Sequence, residues 1–192
     1  NPDLKIVIIE GARSEIINKD MAIYLNYLRS KKNFIIIVDE ITSGFRTSLS
    51  GAYELTKLIP NLVVYGKALG NGFAINAIVG DETLDVSQDT FISSSFHTER
   101  VGFAAALKTI EIIEREKLWK HFYKVGNKLI KSYKMIGNSY ELKIVTNKFY
   151  PLPSFQLLYG NKNNIYNTFI IQELLKKNYL AANSVYLSMS HK

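Results

Sequence analysis

The sequence lacks cysteine altogether and contains only three histidines, His97, His121 and His191. The missing thiols exclude disulfides, thiolate catalysis and cysteine-bound metals from this chain. No two histidines stand at the i,i+4 spacing that places two ligands on one helix face, so we predict no histidine-based metal site. Because the chain cannot form disulfides, the cytoplasm is its expected location.

Long hydrophobic runs are also missing. No apolar stretch approaches the roughly 20 residues that a membrane-spanning helix needs, although 47% of the 192 residues are hydrophobic, enough for a sizeable core. The first residues, NPDLKIVIIE, lack the basic region and the cleavage site of a signal peptide. They also lack an initiating methionine and enter an apolar run at once, so we expect the chain to be part of a longer polypeptide.

Acidic residues are the minority among the charged ones. The 24 lysines and arginines outnumber the 17 acids, which gives a formal net charge of +7. Nucleic-acid binding is one interpretation of such an excess. The lysines are spread over helix faces, however, as in KLWKHFYKVGNKLIKSYK, and no compact basic block with interleaved aromatic residues occurs. We therefore interpret the excess as solvated surface and predict neither a nucleic-acid nor a membrane partner.

Short apolar runs alternate with helical periodicity in the first part of the chain. Lys5–Glu10 and Phe34–Val38 are typical of strands buried on both faces of a parallel sheet. The apolar repeat in Asp20–Lys32 predicts a helix between them, capped by Asp20 and ended by Asn33. Strand, helix and strand in this order form the parallel crossover unit of α/β proteins.

Further elements follow along the chain. The remaining strands are predicted at Leu62–Tyr65, Phe73–Val79, Asp89–Ser95, Tyr140–Val145, Ser154–Leu158 and Val185–Met189. The remaining helices are predicted at Gly51–Leu58, Thr98–Trp119, Leu118–Met135 and Asn164–Lys177. This pattern predicts two parts, an α/β region over residues 1–105 and a smaller α+β region over residues 106–192.

Two residues of opposite charge stand at the ends of two predicted strands. Asp39 follows the run FIIIV, and Lys67 follows NLVVYG and begins a glycine-rich turn. Since ligands of open α/β sheets lie beyond the carboxyl ends of the strands, we expect both side chains to face one ligand. A pyridoxal cofactor uses such a pair, a carboxylate beside its ring nitrogen and a lysine bonded to its aldehyde.

The same pair of residues is compatible with a different chemistry. An aspartate at a strand end also binds Mg²⁺ or caps a helix, so an unrelated Mg-nucleotide-binding α/β domain is one alternative. A phosphate-binding P-loop is not, because Ala68 follows the lysine and no glycine stands five positions before it.

Several segments resemble a known enzyme family. IIIVDEITSGFR (Ile35–Arg46) and VVYGKALGNG (Val63–Gly72) are similar to the two signature segments of class III pyridoxal-phosphate-dependent aminotransferases. VIIEGARSE (Val7–Glu15), ISSSFHTERVGFAAALKTIEII (Ile92–Ile113) and FIIQELLKKNYL (Phe169–Leu180) resemble its glutamate-1-semialdehyde 2,1-aminomutase-like branch. The resemblance implies the α/β fold type I of the aspartate-aminotransferase-like superfamily, here part of the large mixed-sheet domain and part of the small α+β domain.

The same resemblance implies a function. Family members are homodimeric enzymes that bind pyridoxal 5′-phosphate and move an amino group between small molecules. The expected activity of the parent protein is therefore that of an aminotransferase or aminomutase. Epimerases, mutases and decarboxylases that use the same scaffold are the next alternative, because the fold does not determine the reaction. An inactive remnant that acts as an interaction module is another.

The resemblance assigns roles to five residues. Asp39 and Lys67 are the predicted catalytic residues: Asp39 matches the acid that pairs with the pyridinium nitrogen, and Lys67 matches the lysine that forms the Schiff base. Ile41 matches the apolar residue that packs on one ring face. Ser95 falls on a hydroxyl position that reaches the cofactor phosphate of the neighbouring subunit, and Thr98 is the competing candidate. An equally good explanation for a hydroxyl at Ser95 or Thr98 is that it caps the helix that follows.

Three neighbouring residues are expected to play supporting parts. Glu40 should order the site through hydrogen bonds. Arg46 should form a surface or intersubunit salt bridge, with a substrate carboxylate as the alternative partner. His97 is expected to pack rather than to catalyse.

The remaining parts of such an enzyme have no equivalent in this sequence. In the family, an N-terminal half supplies the glycine-rich turn and helix start that hold the cofactor phosphate, and an aromatic residue that stacks on the second ring face. We therefore expect an incomplete sheet with an exposed edge and an exposed apolar face. We predict that the chain alone neither folds stably nor binds the cofactor.

Overall fold

The structure is a computed structural model that describes residues 4–31, 34–87 and 89–191. The predicted helix stop at Asn33 lies outside the described residues, as does Lys32. Among the described residues, no helix combines the length and the hydrophobicity that crossing a bilayer requires.

A four-stranded mixed sheet lies in the first part of the chain. Its strands occur in the spatial order β1 (Ile6–Glu10), β2 (Ile35–Asp39), β3 (Leu62–Tyr65) and β4 (Ala77–Gly80). β1 and β3 both run parallel to the central β2, whereas β4 runs antiparallel to β3. Helix α1 (Lys19–Lys31) connects β1 to β2. The predicted parallel crossover unit is confirmed.

The hydrophobic core of this sheet lies against one face of β2. Ile36 and Val38 are fully buried there, while the residues that alternate with them on the strand are only half-buried. Helix α1 contributes Ala22 and Leu25 to the same cluster. Burial of each large aliphatic side chain stabilises the fold by about 1.5–3 kcal/mol. This packing holds the end of β2, and with it Asp39, in place.

The expectation that β1 is buried on both faces is wrong. Ile6 and Ile8 expose 50% and 70% of their surface, whereas Val7 and Ile9, on the other face, pack against the core. The reason is that β1 is an edge strand: in the described part of the chain only β2 pairs with it. The expected open edge and exposed apolar face are thereby confirmed.

Several predicted elements differ in the structure because local hydrogen bonds replace strand pairing. Asp89–Ser95 forms turns and bends rather than a strand, and Thr90 uses its hydroxyl to bond the carbonyl of Val86. Short polar side chains that bond their own backbone compete with sheet formation in this way. Val185–Met189 is not a strand either; a single bridge between Ser154 and Ser184 forms just before it.

The predicted helix over Gly51–Leu58 and the strand over Phe73–Val79 are shorter than expected. The helix is a 3₁₀ turn over Ala52–Thr56, ended by Lys57 at φ 58°. The strand begins only at Ala77, because the Phe73 N–H closes a turn on the carbonyl of Gly70.

Two helices follow in place of the predicted Thr98–Trp119 and Leu118–Met135. Helix α2 (Arg100–Glu116) ends at Lys117, whose φ of 50° breaks the helical backbone, and α3 (Leu118–Ser139) begins directly afterwards. The described chain separates into two compact units between Trp119 and Lys120. The sequence-based division after residue 105 stays a prediction about the domains of the parent protein.

The second unit contains a small antiparallel hairpin, as predicted. Its strands are β5 (Ile144–Thr146) and β6 (Phe155–Leu157), followed by helix α4 (Asn163–Lys176). Buried side chains from α3, β6 and the loops form its core; they include Phe122, Ile130, Phe149, Leu152, Leu157 and Leu187. The rings of Tyr133 and Phe155 lie 5.2 Å apart and tie α3 to β6.

Gly126 in α3 lies where a side chain would strike the backbone. A Cβ atom at this position would overlap the carbonyl group of Tyr150. Glycine-to-alanine changes inside helices usually stabilise by about 0.5–1 kcal/mol, but overpacking against a rigid neighbour costs about 1–3 kcal/mol. We expect Gly126→Ala to lower the free energy of unfolding by about 1–3 kcal/mol, measured by urea titration. Trimethylamine N-oxide keeps a marginal chain folded at the start.

Gly137→Ala is the matched control on the same helix. Its Cβ would come too close to the side chain of Ile144, with Cδ1 at 2.7 Å, but that side chain can rotate away, and the backbone oxygen of Leu142 lies at an ordinary contact distance of 3.9 Å. We expect a clearly smaller loss than for Gly126→Ala. Equal losses would show that the close approach to Tyr150 is not what selects glycine.

Candidate active site

Asp39 is the last residue of β2 and stands at the carboxyl edge of the parallel strands. In the sheet register it lies between Glu10 of β1 and Val64 of β3. Its Oδ1 accepts a hydrogen bond of 2.8 Å from the backbone N–H of Ile41. The half-buried carboxylate is therefore oriented by its own turn.

Lys67 reaches the same edge from the neighbouring strand. It follows the end of β3 by two positions, and its exposed side chain crosses to the loop that follows β2, where Nζ donates a 2.8 Å hydrogen bond to Thr42 Oγ1. Thr42 stands three residues after Asp39. The acid and the lysine that the sequence placed at two strand ends therefore lie at the same edge of the sheet, and Lys67 is hydrogen-bonded to the loop that follows Asp39.

The backbone at Lys67 adopts a conformation that side chains disfavour. Its φ is 41°, in the left-handed region, which costs a non-glycine residue about 1–2 kcal/mol. Two backbone hydrogen bonds hold this turn, from Leu69 to Gly66 and from Asn71 to Lys67. Backbone strain of this kind is concentrated at functional sites.

Ile41 lies over the start of the Lys67 turn. A Cβ atom placed on Gly66 would lie 3.5 Å from Ile41 Cγ2 and would overlap the side-chain oxygen of Asn76. The predicted apolar residue is therefore next to the turn that carries the lysine. Asn76 was not predicted, because a single polar residue inside the apolar run FAINAIV carries no signal of its own.

Ser95 and Thr98 lie in an exposed turn before α2. The expectation that either caps that helix is wrong: the cap is Glu99, whose carboxylate accepts from the Val101 N–H at 3.2 Å. No hydrogen bond between described residues links either hydroxyl to the strand-end pair. Their cofactor contact stays a prediction.

A cleft of about 440 Å³ lies beside this turn. Its polar lining comes from Asn76, Ser94, His97 and Glu99. Phe96 and other apolar groups form the rest of the lining. His97, expected to pack, is exposed and borders the cleft. Asn76 therefore adjoins both the cleft and the Lys67 turn.

The carboxylate of Glu40 is buried beneath the site, with only 1% of the residue exposed. It accepts hydrogen bonds from Ser43 Oγ at 2.6 Å and from the Tyr53 N–H at 3.0 Å. Ser43 Oγ in turn accepts from the Ala12 N–H at 3.2 Å. The expectation that Glu40 orders this region through hydrogen bonds is confirmed.

Two glycines make room for this carboxylate. A Cβ atom at Gly11 or at Gly51 would overlap the side chain of Glu40. The carboxylate of Glu40 is therefore surrounded by three segments, which are the loop at Gly11, the loop at Ser43 and the segment from Gly51 to Tyr53. Burial raises the pKa of Glu40 above its ordinary value, an effect that the donors from Ser43 and Tyr53 oppose and the nearby Asp39 charge increases.

Thr42 is a site residue that sequence reasoning missed. The only signal was a hydroxyl three residues after the strand-end acid, and hydroxyls in loops are common. Arg46, for which a salt bridge was expected, donates a 2.8 Å hydrogen bond from Nε to the carbonyl oxygen of Thr42. Its guanidinium thus supports the turn that faces Lys67.

A comparison with protein families identifies the family of this chain. Residues 7–148 match the family model described as aminotransferase class-III. The chain belongs to the class-III aminotransferase family. The matched stretch includes Asp39, Lys67 and both signature segments, so the predicted family is confirmed. Membership rules out the alternative of an unrelated Mg-nucleotide-binding domain.

The class-III chain is similar to curated relatives of two kinds. It is 46% identical to 3-aminobutyryl-CoA aminotransferase of Cloacimonas acidaminovorans over 100 residues, which cover 50% of this chain and 24% of that protein. It is 27% identical to glutamate-1-semialdehyde 2,1-aminomutase of Bdellovibrio bacteriovorus over 182 residues, which cover 85% of this chain and 43% of that protein.

Solved structures confirm the predicted fold type I architecture. The FumI protein of Sphingopyxis sp. MTA144 superposes on all of this chain with a TM-score of 0.89 at 20% identity, covering 48% of that protein. An ω-transaminase of Sphaerobacter thermophilus matches 90% of the chain with a TM-score of 0.80 at 15% identity, covering 44% of that protein. The class-III chain thus spans less than half the length of these relatives.

The strained backbone at Lys67 has a measurable consequence. Because glycine tolerates the left-handed region, Lys67→Gly should be more stable to unfolding than Lys67→Ala by about 1 kcal/mol. Urea titration in trimethylamine N-oxide measures the difference. Lys57, with φ 58°, provides a matched lysine outside the site, and its glycine and alanine variants should differ in the same direction. A difference at Lys57 with none at Lys67 would contradict the strained turn.

The buried acid predicts a pH dependence. Burial raises the pKa of Glu40 from 4.5, so the folded chain holds this proton more tightly than the unfolded chain. The resulting stabilisation is complete below pH 4.5 and is lost as the pH rises through the folded-state pKa. Glu40→Gln carries no titrating proton. We expect its stability relative to the unmodified chain to improve as the pH is raised towards neutrality, as measured by urea titration in trimethylamine N-oxide at several pH values.

Glu114→Gln removes one exposed carboxylate from the same unit and is the charge-matched control. If both variants follow the same pH course, burial of Glu40 does not control its protonation.

Proposed function

We propose that this chain is the part of a pyridoxal-phosphate-dependent aminotransferase or aminomutase that provides the active-site lysine and acid. The observation that carries the proposal is the meeting of Lys67 and the Asp39–Thr42 turn at one edge of the sheet, linked by the 2.8 Å bond from Nζ to Thr42 Oγ1. Family membership supports the same chemistry, and the relatives named above include enzymes of both kinds.

The residues at this edge fit pyridoxal 5′-phosphate. Lys67 presents an exposed primary amine that takes part in no ion pair with another described residue. Asp39 presents a carboxylate that is already oriented by the Ile41 N–H. Ile41 adds an apolar side chain beside them. When bound, the cofactor supplies an aldehyde that captures amines and a ring that accepts electrons.

Each residue has a role that follows from its group. Lys67 would bond to the aldehyde through Nζ and later carry a proton between two carbons of the substrate. Asp39 would hold a proton on the ring nitrogen by pairing with it. Ile41 would exclude water from one ring face. For Ser95 we propose contact with the cofactor phosphate of a neighbouring subunit, with Thr98 as the alternative.

The proposed parent enzyme is a cytoplasmic homodimer that acts on a small-molecule amino donor and acceptor. A subunit interface is part of the proposal because Ser95 and Thr98 lie in an exposed turn, and no hydrogen bond among the described residues links their hydroxyls to the strand-end pair. Transfer of the amino group to a second molecule and its relocation within one molecule use the same lysine and acid. The substrate therefore separates an aminotransferase from an aminomutase.

Chemical trapping on the full chain tests the proposal. After incubation with pyridoxal phosphate, borohydride should fix the cofactor on Lys67 as a secondary amine, found by mass spectrometry of the peptides. We expect Lys67 to be labelled at least several-fold more than Lys57, an exposed lysine that shares its left-handed backbone. Lys67→Ala should abolish the selective label.

Trapping needs only a transient bond. It is therefore compatible with the prediction that the chain alone forms no stable complex, which is checked by the absence of a persistent absorbance band after gel filtration. Labelling spread over exposed lysines without preference for Lys67 would overturn the proposed function and favour an inactive interaction module.

A further inference from the structure

We propose that Thr42 is a positioning residue, whose hydroxyl holds the Lys67 amine over the loop that follows Asp39, in the orientation that bonds to an aldehyde. The inference rests on the proposed function and extends it to a residue that has no assigned role in the site. The direct observation is the 2.8 Å hydrogen bond from Lys67 Nζ to Thr42 Oγ1. It joins the loops that follow two neighbouring strands.

The hydroxyl of Thr42 is held by a rigid turn. The Gly44 N–H donates to the carbonyl of Glu40 at 2.8 Å, and Arg46 Nε donates to the carbonyl of Thr42 at 2.8 Å. Threonine is also restricted at χ1 by its branched Cβ. The same turn orients Asp39 through the Ile41 N–H. One turn therefore sets the positions of both the acid and the lysine amine.

The neutral partner suits a lysine that must react. Lys108 and Lys176 bond to carboxylates at 2.7 Å and 2.6 Å, and a carboxylate favours the charged ammonium, which has no free electron pair. A hydroxyl accepts an N–H from either form of the amine. A neutral Lys67 amine can therefore donate to Thr42 and keep its lone pair for the aldehyde carbon.

The bond-forming step balances without a further reactant. Nζ bonds to the aldehyde carbon, and the carbonyl oxygen leaves as water together with both amine protons. Because both N–H groups are lost in this step, the hydrogen bond from Lys67 Nζ to Thr42 is lost as well. Thr42 thus acts before the bond forms, by limiting the directions in which the flexible lysine side chain points.

Two substitutions separate the hydroxyl from the shape of the side chain. Thr42→Val keeps the branched shape without the hydroxyl, and Thr42→Ser keeps the hydroxyl without the methyl group. The full chain is incubated with pyridoxal phosphate, quenched with borohydride at a series of times, and the rate of labelling at Lys67 is divided by that at Lys57 in the same digest. This ratio corrects for cofactor concentration and quenching.

Loss of one hydrogen bond corresponds to a factor of about two to ten. We expect Thr42→Val to lower the Lys67 rate by about that factor and Thr42→Ser to retain most of it. Circular dichroism of each variant checks the fold. If Lys67 is labelled as fast in Thr42→Val as in the unmodified chain, or as slowly in Thr42→Ser as in Thr42→Val, the role of the hydroxyl is overturned while the proposed function stays intact. Absence of selective Lys67 labelling in the unmodified chain would overturn both.

Discussion

The buried carboxylate of Glu40 is the constraint on which the geometry of the site depends. A carboxylate removed from water is costly unless donors satisfy it, and here the donors come from Ser43 and Tyr53. Backbone at Gly11 and Gly51 packs directly on it. None of these segments can move without leaving the acid unpaired or opening a void beside it.

The burial of Glu40 also restrains the residues beside it in the chain, which belong to the proposed site. Glu40 is flanked by Asp39 and Ile41, and Thr42 follows before the turn closes on Ser43. The acid that would meet the ring nitrogen, the apolar side chain and the hydroxyl that holds Lys67 are therefore presented by one fixed turn. Lys67 comes from a different strand, and parallel pairing of β2 with β3 brings it to the same edge. Glu40, which supports the site, is buried, whereas the Lys67 side chain is exposed.

The class-III chain holds one part of the expected machinery. The strand-end pair and its supporting turn are complete within the first compact unit, whereas Ser95 and Thr98 stand apart from it in an exposed turn. The open edge of β1, with Ile6 and Ile8 exposed, leaves apolar surface on the same sheet. An active site whose groups come from several polypeptide segments fits a chain that spans less than half the length of its relatives.

Sequence alone determined the strand ends and their chemistry. Short apolar runs bounded by charge identify β1, β2 and β3; the acid is the last residue of β2, and the lysine follows β3 by two positions. Such runs are recognisable because burial selects apolar residues locally. They cannot tell a central strand from an edge strand, which is why the exposure of β1 was missed.

Tertiary structure alone decided how the site is held together. Glu40 accepts from Ser43 in its own loop and from Tyr53 in the 3₁₀ turn, and the partner of Lys67 is a hydroxyl in the loop that follows β2. The bonds from Tyr53 to Glu40 and from Lys67 to Thr42 join residues 13 and 25 positions apart, so no local pattern encodes them. The sequence predicts which groups react, and only the folded sheet shows which side chains hold them in place.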